Sequence, residues 1–216
     1  MLWILRNILF YLVLVVVFQV TCNNYLNNDV VWFTQYVVYG GSILLLLILF
    51  FKWKSKWTGI RTLNKKSDTY AFTFNKPLQP AFLYWTKYNH VTEAIASFVF
   101  GISVLYFDQT AWMFSALLIV NAIENIYFLI SNLKNHRFRM AVNEFAVAHN
   151  GRGTYIIPFH GLQSIERKYD EFFFIYKNGD TLTIPLNSLE EKDLAAFRQL
   201  LDTKARELEI FYSVRL

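Results

Sequence analysis

Four apolar runs, each bounded by charge, fill most of the chain up to Ile130: Ile8–Val20, Val30–Phe51, Ala94–Phe107 and Ala111–Ile130. Crossing a hydrocarbon core takes about 20 apolar residues in a helix, because lipid offers no partner to a backbone amide. The second and fourth runs reach that length alone, and the first and third reach it with their flanks. The expected fold class is therefore an α+β membrane protein. It has four transmembrane helices and a small water-facing domain of sheet and helix. Composition agrees, with 55% apolar and 17% charged residues against about 45–50% and about 25% in soluble domains.

Charge, divided along the chain, orients the helices. Between Lys52 and His90 stand Lys52, Lys54, Lys56, Arg61, Lys65, Lys66, Lys76 and Lys87 against Asp68 alone, a net +7 in a chain whose total is +5. Lys and Arg near membrane ends collect on the cytoplasmic side, so this segment and the cluster Lys134, His136, Arg137 and Arg139 are expected inside. Thr21–Asp29, with four Asn and no basic residue, and the hairpin Asp108-Gln109-Thr110 are expected outside. Both termini then lie in the cytoplasm. Trp32, Phe33, Tyr36 and Trp112 fall at the outer interface, and Trp53, Trp57, Tyr84 and Trp85 at the inner one, where amphipathic rings suit the headgroup layer. Lys52, Lys54, Lys56, Arg61, Lys65 and Lys66 read as a loop facing anionic lipid of the inner leaflet, worth about 1 kcal/mol each near such a surface. Nucleic acid is not needed to explain the basicity.

The first run also suits a signal peptide, with Arg6 ahead of an apolar core, but no small-x-small site follows Val20, and a retained helix is expected. The single Cys22 cannot form an internal disulfide.

From Arg137 onward the period falls to two. Phe138, Met140 and Val142 alternate with Arg137, Arg139 and Ala141, the pattern of a strand with one buried face. Phe145–Ala148 and Thr154–Ile157 flank a Gly-containing turn, Ile165, Arg167 and Tyr169 suggest a strand, and Phe172–Tyr176 and Thr181–Leu186 flank Asn178-Gly179. Asn-Gly favours a type I′ hairpin, which needs positive φ at both central residues. Ser188 followed by Glu191 predicts a capping box, and Leu194, Phe197, Leu201 and Leu208 then repeat at helical spacing. Such a helix must cover an apolar surface, and the open end of the sheet is its natural partner.

The stretch NEFAVAHNGRGTYIIPFHGLQSIERKYDEFFFIYKNGDTLTIPLNSLEEKDLAAFRQLL, Asn143–Leu201, resembles bacterial PH-like domains, in particular the membrane-tethered YcxB-like type. The resemblance implies a cytoplasmic PH-like β-barrel capped by a C-terminal helix, in an inner-membrane protein. It implies an interaction or scaffold role, with an unidentified protein partner or a second copy bound, and neither enzymatic activity nor a cofactor. It also implies a strand before the third helix, at Tyr70–Phe74. The resulting division is 1–53 for the first helix pair, 54–90 for the basic loop, 91–134 for the second pair and 135–216 for the PH-like domain. Arg152 is the one permanent cation in the turns that could meet a headgroup, which argues against inositol phosphate recognition.

Few residues could carry chemistry. Asn121, Glu124 and Asn125 share one face of the fourth helix by their i, i+3, i+4 spacing. A carboxyl near the midplane costs about 2.5–3.5 kcal/mol, so it should face protein or water. Hydrogen bonding to Ser97 or Ser103 or across a homo-oligomer is the structural reading, and a proton or cation relay in a transporter or channel subunit is the alternative. His90 and Glu93 suggest an interfacial pair. No His-Glu-x-x-His or paired Cys/His spacing predicts a metal site. Gly40-Gly41 permits close helix approach without a phosphate-loop Lys after it.

Overall fold

The computed structural model describes residues 2–27, 32–64, 72–151 and 154–214. Two compact units divide the chain: Met1–Ser55 with Asn89–Ile130, and Lys56–Tyr88 with Ser131–Leu216. Lys65, Lys66, Tyr70, Ala71 and Arg152, all named above, lie outside the described residues.

The first unit is helical. Helices α1 (Leu2–Asn27), α2 (Trp32–Asn64), α3 (Pro80–Phe107) and α4 (Trp112–Lys134) contribute to it. Three helical segments, Thr34–Arg61, Pro80–Phe107 and Gln109–Lys134, are long and apolar enough to cross a membrane, and a shorter one spans Ile8–Asn23. Their shared core joins Val13 and Val17 of α1, Leu45 and Leu49 of α2, Val104 of α3 and Phe114 and Leu118 of α4. Gly41 allows α1 and α2 to touch, since a Cβ there would stand 2.5 Å from Val17 Cγ2, whereas Gly40 faces open space. Gly101 does the same for α3 and α4, at 3.1 Å from the Ser115 carbonyl oxygen. Between these helices Asp108 caps a 3₁₀ turn, Gln109–Ala111, its Oδ1 accepting from Thr110 N at 2.9 Å.

The segment expected as a basic loop is largely helical at both ends. Helix α2 continues to Asn64 and α3 begins at Pro80, a residue suited to a first helical turn. The continuation of α2 has a packing cause. Lys56, Gly59 and Ile60 form a buried stripe, and a Cβ on Gly59 would meet Thr154 Cβ at 2.5 Å.

The second unit holds two four-stranded sheets and helix α5 (Glu191–Glu207). The first sheet runs β1 (Phe74–Pro77), β2 (Arg139–Val142), β3 (Ala146–Asn150), β4 (Thr154–Pro158), all antiparallel neighbours. The second has the order β7 (Thr181–Pro185), β6 (Glu171–Tyr176), β5 (Leu162–Lys168), β8 (Phe211–Val214), with β8 parallel to β5. Phe74, Val142, Val147 and Ile157 line up across the first sheet, all buried. Phe197 of α5 stacks on both Phe74 and Phe172, at 5.5 Å in each case, so one helix seals both sheets.

Several local expectations need correction. Among the described residues the strand before α3 is Phe74–Pro77: Phe74 supplies the inward ring opposite Val142, Phe72 packs on Ala141 and Ala148 ahead of it, and Tyr70 and Ala71 of the expected strand lie outside the described residues. That outer contact also buries Ala141, so β2 is covered on both faces. Of Asn178 and Gly179 only Gly179 takes positive φ (85°), and Gly179 N donates to Tyr176 O while Tyr176 N donates to Asp180 O, both at 2.9 Å. This is a three-residue loop with a bulge, not a type I′ turn. Tyr169 leaves the strand for the β5–β6 turn, at φ 54°. Ser188 does not cap α5. Its hydroxyl donates to Pro185 O at 2.6 Å, closing a 3₁₀ turn, and Glu190 is the N-cap without a side-chain bond. Ala205, not the exposed Leu208, completes the buried stripe of α5 below Leu201.

Candidate functional site: a polar seam inside the helices

The helix unit keeps an apolar core, yet it also exposes much apolar surface and buries polar groups. Large apolar side chains such as Ile43, Leu47, Phe50, Ile95, Val99, Ile123 and Ile130 point away from the protein, while Ser42, Ser97, Ser115, Asn121 and Asn125 are buried. Lipid is as apolar as leucine, so hydrogen bonds and close packing hold such helices together.

The buried polar groups form a seam along α3 and α4. Asn121 Nδ2 donates to Ser97 Oγ at 2.9 Å, and Asn125 Nδ2 donates to the Asn121 carbonyl at 3.1 Å. His90 Nδ1 lies 3.4 Å from Asn125 Oδ1, and the His90 ring stacks on Phe128 at 5.1 Å. Asn121 Oδ1 finds no donor among the described residues. His90 and Ser97 stand seven residues apart and Asn121 and Asn125 four, so each pair lies on one helix stripe.

Asn121 and Asn125 are fully buried in the seam, and Glu124 is half-buried beside it. His90 and Glu93 do not pair with each other. Glu93 forms an ion pair with Lys52 of α2, both side chains about one-fifth exposed. The Lys52 ammonium also lies 5.8 Å from the Phe10 ring of α1, so one cation ties three helices. Sequence periodicity could place Lys52 at a helix end but not foresee a carboxylate 41 residues away.

Of the residues expected to face lipid, Lys54 and Arg61 are exposed, Lys52 is engaged by Glu93, and Lys56 is buried. The sheet unit adds a polar cluster that sequence reasoning missed. Asn150 Nδ2 donates to Asn132 Oδ1 at 3.0 Å and to the Arg137 carbonyl at 2.7 Å, and Thr154 Oγ1 donates to Asn150 Oδ1 at 2.9 Å. Next to it His149 is enclosed by Phe82, Tyr155 and Gly151, and burial pushes its pKa down to about 4. Among the described residues no three His, Cys, Asp or Glu side chains gather as metal ligands.

No family model, curated protein or solved structure matches the chain.

Proposed function

We propose that this is a multi-pass inner-membrane protein of the bacterial PH-like, YcxB-like type. It holds its sheet domain at the cytoplasmic face to bind a protein partner or a second copy of itself, and it is not an enzyme. The observation that carries this reading is the splice between β1 and β2. These strands are neighbours in the ladder, yet the chain between them makes α3 and α4, so the sheet domain is built around a helix hairpin. Seven strands in two sheets, sealed by α5, support the PH-like assignment, and β8 is an addition to it.

The transporter reading, with Glu124 as its intramembrane site, has less support. Asn121 bonds to Ser97 and Asn125 faces His90, both between α3 and α4, as residues that join helices do.

Two measurements test the proposal. Reporters fused after Asn64 and after Leu216 should both be cytoplasmic, and one inserted near Asn27 should be external; an external C-terminal reporter overturns the arrangement. Crosslinking in native membranes should capture a protein, or a second copy, through the sheet domain. Crosslinks confined to lipid would remove the interaction role.

A further inference from the structure

The basic residues of the sheet unit are unevenly partnered. Lys76, Lys168, Lys192, Lys204 and Arg206 hold Asp193, Glu166, Glu190, Glu207 and Asp202 in turn. Lys87, Lys134 and Arg137, like Arg61, Arg167, Lys177 and Arg198, hold no carboxylate among the described residues. What sets Lys87, Lys134 and Arg137 apart is that their own segments are poor in acid: residues 131–143 contain no Asp or Glu, and residues 56–88 contain Asp68 alone.

Lys134 closes α4, Arg137 follows three residues later, and Lys87 stands seven residues into α3. Pro77 faces Arg139 across the β1–β2 ladder, and Leu78 N donates to Phe138 O at 3.2 Å. The first turns of α3 and the last turn of α4 therefore start from neighbouring points. Arg137 Nη1 reaches Ser131 Oγ at 3.4 Å, and its charge, after burial, helps to lower the pKa of Arg139, a repulsion that an anion would relieve. On the same turns of α3, Phe82 turns inward to His149, at 5.7 Å between rings, and Thr86 is buried. Tyr84, Trp85 and Tyr88 turn outward, each more than half exposed, in an edge-to-face row with spacings of 5.8 and 5.9 Å.

We infer that Lys87, Lys134 and Arg137, flanked by Tyr84, Trp85 and Tyr88, form a docking surface for the phosphate headgroup of an anionic membrane lipid. Charge complementarity selects an anion. Exposed rings with polar tips select the layer between headgroup and acyl chain, which a free phosphate or a nucleic acid does not provide. Tyr84, Trp85, Lys87 and Tyr88 lie in the first third of the candidate span Pro80–Phe107, the end at which a headgroup layer would meet it. The lipid contact thus moves away from Lys52 and Lys56, which the fold engages or buries. The inference rests on the membrane placement of the helices and not on the interaction role of the sheet domain, so either can fail alone.

The test uses the full chain in nanodiscs of phosphatidylglycerol and phosphatidylcholine in equal amounts, with retained lipid counted by native mass spectrometry. The wild type should retain phosphatidylglycerol preferentially. K87Q/K134Q/R137Q should lower that preference at least tenfold, and each single Gln variant about fivefold. K87R/K134R/R137K should keep it, and Trp85→Ala should lower it about threefold. Lys168→Gln with Lys177→Gln and Lys192→Gln, which removes equal charge elsewhere, should leave it unchanged. Should the triple variant not insert, the single variants decide. Wild-type retention in the single and triple Gln variants, or equal loss in the Lys168 control set, overturns the site. Displacement of the lipid by millimolar inorganic phosphate would assign the surface to free phosphate and also overturn it.

Discussion

In the helix unit many Leu, Ile, Val and Phe side chains face outward, and Ser97, Asn121, Asn125 and His90 are buried alongside an apolar core; in the sheet unit Phe74, Phe172, Phe174 and Phe197 are enclosed and the ion pairs are largely peripheral. The two units differ in what they expose, as a body with candidate membrane spans and a water-facing one do. Water rewards apolar burial at about 25 cal/mol per Å². Lipid gives no such reward, so α3 and α4 rely on the close approach at Gly101 and on the Asn121–Ser97 bond. One chain therefore carries two kinds of stability, and they should respond differently to mutation.

The largest difference should come from Phe197, fully buried and in ring contact with both sheets. Phe197→Ala should cost the sheet domain about 3–5 kcal/mol. Limited proteolysis of the full-length protein should then show cleavage beyond residue 131 while the helices stay protected. Equal loss in both units would mean that they do not fold as separate bodies.

Acid should also act on the sheet unit. His149 has a folded pKa depressed to about 4 by burial, against an ordinary value of 6.5, so the fold requires the neutral ring. Its contribution is fully present above about pH 6.5 and is lost as pH falls towards 4, where the unfolded chain takes up a proton that the folded one refuses. The loss approaches about 3 kcal/mol. Denaturation midpoints between pH 7 and 4.5 should fall less steeply for His149→Gln than for the wild type, and parallel slopes would remove His149 from this role.

In the helix unit effects should be smaller. Asn121→Leu removes the bond to Ser97 and should weaken helix association by about 0.6–2 kcal/mol, read as a lower midpoint in a detergent unfolding series. Glu124→Gln should change that midpoint least, and cellular function should survive it. Loss of function in a Glu124→Gln protein that is folded, inserted and assembled would reverse the assignment and revive the transporter reading.

Elements whose cause is local were legible in the sequence. The apolar runs became helices, and six strands fall between residues 137 and 186 where alternation placed them. Elements whose cause is a distant contact were not. The end of α2 is helical because Gly59 meets Thr154, and Phe74 of β1 turns inward opposite Val142. Ser188 and Glu191 have capping-box spacing, yet the 3₁₀ turn claims the hydroxyl first. The candidate seam was half legible: spacing put Asn121 and Asn125 on one stripe, but only packing could join Asn121 to Ser97 and Glu93 to Lys52.

The splice between β1 and β2 has a consequence during synthesis. Pro77 and Arg139 are register partners separated by the whole α3–α4 hairpin. At about 5–20 residues per second a ribosome takes roughly 3–12 s to deliver the second strand after the first. Throughout that wait β1 is an unpaired strand carrying Phe74, and its partner can arrive only after the hairpin has been made. Completion of the sheet therefore reports that α3 and α4 have been delivered, and a nascent chain stalled at insertion would present β1 as an open edge to chaperones and proteases.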